Sequence, residues 1–136
     1  MSRILVLEQQ PRWYPELRRQ LADSSVRIQS RSKTAEVRGE LAAQQRDGSR
    51  LVLLVDLNVG AAGVLALAAA ARQRSDVRLI VVGQAESRPL EPVLRELGTD
   101  SFFLMPVSGE QIATECARLA GLEAASAAFV ADPAGS

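Results

Sequence analysis

The chain has 136 residues, a length that suits one compact domain and leaves little room for two. Sixteen basic residues balance sixteen acidic ones, so no global field favours nucleic acid, an anionic membrane or an acidic substrate. Histidine is absent, which excludes histidine acid–base catalysis, histidine metal ligation and a phosphohistidine carrier, and the lone Cys116 excludes an internal disulfide and fits a reducing cytoplasm.

In chain order, Met1 is closely followed by the apolar run Ile4-Leu5-Val6-Leu7 rather than by a basic segment and a long apolar stretch, so no secretory signal is expected and the protein is expected in the cytoplasm. A helix comes next, with Pro15 in its first turn and Leu17 and Leu21 on one face. Val26-Arg27-Ile28-Gln29 alternates with period two, as an edge strand does. Thr34 is read as the cap of a helix that buries Val37 and Leu41. Leu51-Val52-Leu53-Leu54-Val55 is a strand covered on both faces. The most apolar segment, Ala61 to Ala71, is eleven residues long, far short of the roughly 20 that span a bilayer. It reads as a buried helix carrying Val64, Leu65 and Leu67 and closing on Arg72 and Arg74.

Leu79-Ile80-Val81-Val82 is the fourth strand, and Val93, Leu94 and Leu97 form a helix stopped at Gly98. Phe102-Phe103-Leu104-Met105 is the fifth strand. Ser108 with Gln111 makes a capping box that opens a last helix burying Ile112, Cys116 and Leu119. Beyond Leu122 the chain is mostly Ala, Ser and Gly with Pro133, so residues 1–122 are expected to form the domain and 123–136 a flexible tail.

Five β–α units with short connections and right-handed crossovers predict a doubly wound α/β domain, a parallel sheet with helices on both faces. Ligands of such sheets bind at the carboxyl ends of the strands. The residues there are Glu8 and Gln9, then Asp56, Leu57 and Asn58, then Gly83 and Gln84, and finally Met105 and Pro106.

Three segments carry a resemblance. Ile4-Leu5-Val6-Leu7-Glu8-Gln9-Gln10-Pro11 resembles the first strand of response-regulator receiver domains, which two adjacent acids close. Leu51-Val52-Leu53-Leu54-Val55-Asp56-Leu57-Asn58 resembles the third strand, which ends in the phosphoacceptor. Leu97-Gly98-Thr99-Asp100-Ser101-Phe102-Phe103-Leu104-Met105-Pro106-Val107 resembles the stretch leading into a lysine-proline ending. The likeness spans about residues 3 to 120 and implies the CheY-like, flavodoxin-like strand order 2-1-3-4-5.

For the site, the resemblance implies a Mg²⁺ ion held by the first-strand acids, the phosphoacceptor and a main-chain carbonyl two residues beyond it. Carried across, Asp56 is the candidate phosphoacceptor, Glu8 the first acid, Gln9 the second, and Asn58 the carbonyl donor. The chain departs from the family at three side chains and in one loop. Gln9 brings no charge to a hard cation, Gly83 replaces the hydroxyl residue that reaches the new phosphate, and Met105 replaces the lysine that pairs with it. Phe102 falls on the aromatic position that reports switching. The loop Val59-Gly60-Ala61-Ala62-Gly63 lacks the usual proline.

The expected function is thus an atypical single-domain receiver of two-component (phosphorelay) signalling, not an enzyme, acting by protein–protein contact with weak or no phosphorylation at Asp56. Its face would be drawn from Glu91 to Leu97, Ser101 to Phe103 and Glu110 to Leu119, its partner being a histidine kinase, a downstream effector or a second copy in a homodimer. Too few residues come after Leu122 for a DNA-binding unit, so neither nucleic acid nor membrane is expected as a partner. Two alternatives stand beside it: an active receiver phosphorylated on Asp56, and a small-ligand binder on the same scaffold, for which the chain lacks a Gly-x-Gly-x-x-Gly turn or a Gly-rich loop ending in Lys and Ser or Thr. Plainer readings of single residues also remain: Asp56 and Glu8 as solvated acids, Gly83 as a tight turn.

Overall fold

The computed structural model describes residues 2–43 and 49–122; the expected tail at 123–136 lies outside the described residues. The apolar runs become strands β1 (Ser2–Leu7), β3 (Arg50–Asp56) and β4 (Val77–Gly83), which form the middle of the sheet. The more polar β2 (Arg27–Arg31) and the short β5 (Ser101–Leu104) take its edges. The order is β2-β1-β3-β4-β5 with every pairing parallel, the doubly wound arrangement expected.

Alternation along the strands feeds two separate cores. Leu5, Leu7, Leu53, Val55, Leu79 and Val81 point to the side covered by α2 (Thr34–Ala43), α3 (Ala61–Arg72) and α4 (Glu91–Glu96). Ile4, Val6, Val52, Leu54, Ile80 and Val82 point to the other, where α1 (Trp13–Gln20) contributes Trp13 and Leu17 and α5 (Gly109–Ala120) contributes Ile112, Cys116 and Leu119. Central strands buried on both sides have no polar period to show, which is why they read as unbroken apolar runs.

Helix ends obey local chemistry. Ser108 accepts from the Gln111 N–H at 3.0 Å while the Gln111 side chain accepts from the Ser108 N–H, so the capping box forms as the spacing predicts. Gly98 and Gly121 adopt φ of +92° and +84°, the left-handed stop that favours glycine.

Thr34 differs from expectation. It is the first residue of α2, Lys33 precedes it, and the Glu36 side chain folds back to accept the Lys33 N–H. The Thr34 side chain packs instead on Gly63 of α3, so close that a β-carbon there would lie 2.8 Å from Oγ1. Strand β2 begins one residue after Val26, and Val93 of α4 is 44% exposed whereas its neighbour Leu94 is buried. Among the described residues no helix is long and apolar enough to cross a membrane.

Candidate functional site

The carboxyl ends of the strands bring the expected residues to one edge of the sheet. Leu7 pairs with Val55, so Glu8 and Asp56 come next at neighbouring strand tips; Asp56 pairs with Val82, so Gly83 stands one step beyond it. Gly83 pairs with Leu104, and the Met105 N–H donates to the Gly83 carbonyl at 2.8 Å. The adjoining Met105–Pro106 peptide is cis.

Asp56 is half-buried at the end of β3. Its Oδ1 accepts the Asn58 N–H at 2.9 Å, which caps a 3₁₀ turn over Leu57–Val59. That turn runs into Gly60, whose φ of +118° turns the chain into α3. Asn58 is exposed.

Glu8 is placed differently. Only 5% of it is exposed, and its carboxylate accepts three main-chain N–H groups: Arg12 and Trp13 on Oε1 at 3.1 and 3.0 Å, Tyr14 on Oε2 at 3.0 Å. Both oxygens therefore serve the start of α1. Gln9 beside it is exposed, on the rim of a recess that also takes in Pro11, Ser30, Arg31 and Glu36 and does not reach Asp56.

At the end of β4, Gly83 is buried with no room for a side chain. A β-carbon there would stand 2.8 Å from Leu57 Cδ1 and 3.0 Å from Ser87 Cβ. Ser87 belongs to a 3₁₀ turn over Ala85–Leu90. Leu57, itself 8% exposed, thus fills the space beside Gly83. Met105 is half-buried against the α1/α5 core, and Phe102 packs toward the opposite core beside α3 and α4.

A receiver-type site implies Mg²⁺, and of the donors expected here Asp56 alone would bring it an uncommitted carboxylate oxygen. Such an ion takes a near-octahedral set of hard oxygens with one or two carboxylates. Asp56 offers a carboxylate, Gln9 an amide and Asn58 a carbonyl, while the Glu8 oxygens are committed to N–H donors. Among the described residues no three His, Cys, Asp or Glu side chains group closely enough to hold a metal. The residue that sequence reasoning missed is Trp13, together with the capping task of Glu8 and the packing of Leu57 against Gly83. Only Trp13, the single tryptophan, left a signal, since a large aromatic just ahead of Pro15 marks a helix start that needs anchoring.

No protein-family model matches the chain, and no curated protein matches it either. Solved structures do. The receiver domain of the TMAO respiratory system response regulator TorR superposes with a TM-score of 0.70 at 23% identity, over 88% of this chain and 96% of that one. The fold is that of a receiver domain. The beryllofluoride-activated NtrC4 receiver domain dimer gives a TM-score of 0.70 at 15% identity over 89% and 98% of the two chains, and the chemotaxis response regulator CheY4 of Vibrio cholerae 0.66 at 15% over 88% and 98%.

Proposed function

We propose that the chain is a receiver-type module of two-component signalling that works through protein–protein contact, with phosphorylation at Asp56 weak or absent. The observation that carries this reading is the register of three strand tips. Asp56, Gly83 and Met105 follow one another along the ends of β3, β4 and β5, which supports matching them to the phosphoacceptor, hydroxyl and ammonium positions of an active receiver. Here the carboxylate alone is left. The developing charge of a phosphoryl group at Asp56 would meet no cation from β5 and no hydroxyl from β4, and charge neutralisation is the chief task of such sites.

The contact surface is the one made by α4, β5 and α5. Val93 is exposed on α4, and all four residues of β5 are half-buried along an edge that no strand among the described residues covers. A histidine kinase, an effector or a second copy of this chain would use it in a cytoplasmic setting.

The test is a ¹⁵N spectrum of the whole chain with Mg²⁺ and beryllofluoride, a phosphoryl mimic. Amide signals of Asp56 and Phe102 are expected to stay in place. Saturable shifts at both would replace this reading with that of an active, phosphorylated receiver.

A further inference from the structure

Glu8 has an employment that its place at a strand tip does not suggest. An α-helix leaves the N–H groups of its cap and first turn without intrahelical partners. In α1 these belong to Arg12, Trp13, Tyr14 and the residue after them. Arg12, at the cap position, makes no side-chain capping bond. Glu8 accepts the N–H groups of Arg12, Trp13 and Tyr14, and the next residue is Pro15, which has no N–H to satisfy. One carboxylate and one proline therefore account for the opening donors of the helix, and the negative charge sits where the helix dipole favours it.

From this we infer that Glu8 is a built-in capping anion for α1 and that no divalent-cation site is built on it. The inference rests on the receiver reading, which supplies the expectation of a cation at this tip. To ligate a metal, Glu8 would have to release three N–H donors, one of them on the buried Trp13. The position of α1 over the α1/α5 core is then fixed by the fold itself and does not answer to metal. The cap also holds Trp13, 2% exposed, directly beneath the turn, so the single tryptophan of the chain reports on it.

The experiment uses the full chain with millimolar Mg²⁺ or Mn²⁺ alone, and the variants Glu8→Ala and Glu8→Gln. Glu8→Ala is expected to lower Tm by about 3–8 °C, the shift that loss of a helix cap brings to a domain of this size. The drop should be the same with and without Mg²⁺, and amide exchange at Arg12, Trp13 and Tyr14 should quicken about tenfold. Glu8→Gln keeps the shape but turns a donor NH₂ toward N–H groups; it should show the same exchange pattern in a weaker form, and it serves if the alanine variant does not fold. In the parent chain neither cation should change Tm or Trp13 emission.

Unchanged exchange at the three amides would overturn the inference, as would a Mg²⁺-dependent rise in Tm that Glu8→Gln abolishes. A beryllofluoride response at Asp56 would unseat the proposed function yet leave the exchange rates at Arg12 to Tyr14 as they are, so the two failures can be told apart.

Discussion

The tips of β1 and β3 lie side by side in the sheet, and each ends in an acid, yet the two acids live in different surroundings. Glu8 is buried under three N–H donors, whereas Asp56 is half-buried and accepts one, from its own turn. The segment after each strand makes the difference. Past Glu8 the chain enters a helix that has no cap of its own at Arg12. Past Asp56 it makes a 3₁₀ turn and reaches α3 through Gly60, so the aspartate satisfies a local N–H and keeps an open side. Neighbouring acids of one chemical class thus divide into a structural group and an available one.

The widest way to break this comparison is to unseat α1 from below. Trp13 packs with Leu17, Ile112 and Cys116 in the core on that side. Trp13→Ala should cost about 3–5 kcal/mol, the range for truncating a buried aromatic, read as the shift of a urea transition. A cost under about 1 kcal/mol would mean that the cap alone fixes the helix. The tip of β3 should answer to a smaller change. Gly83→Thr would place a hydroxyl at the end of β4 but push its β-carbon against Leu57 and Ser87, an overpacking worth about 1–3 kcal/mol. Adding Leu57→Ala should recover part of that loss, and a double-mutant cycle with no coupling would show that Leu57 does not fill the space.

The fold was legible because its signals are local or periodic. Unbroken apolar runs gave the central strands, and Ser108 with Gln111 gave the start of α5, where both donors and acceptors lie within one turn. Asp56 was legible as the tip of the middle strand for the same reason. Glu8 was not, since its partners lie four to six residues on and are main-chain groups that any sequence would supply. Thr34 misled because a hydroxyl at a helix start usually caps; here close approach of α2 to Gly63 draws that side chain into the helix contact. Leu57 gave no sign either, as only the pairing of β3 with β4 brings it to Gly83.

The smallest expected effect comes from an acid that resembles neither tip. Glu115 of α5 lies partly exposed, bonded to Arg118 and to the Ser101 hydroxyl. The Arg118 hydrogen bond holds its carboxyl below the ordinary 4.5; burial opposes it, and the Ser101 hydrogen bond and the Arg118 charge add smaller pulls downward. A pKa lowered on folding stabilises the fold above the unfolded value and loses that contribution as pH falls through the folded one. Its contribution therefore fades below pH 4.5. Glu115→Gln should cost only about 0.5 kcal/mol at neutral pH, because solvent screens the pair, and less at about pH 3. Urea midpoints at the two pH values check this. If parent and variant instead differ equally at both, the loss is one of packing against Ser101, and charge contributes to stability at neither pH. A glutamate with a charged partner at the surface should then matter less than Glu8, which among the described residues has no charged partner and serves main-chain donors.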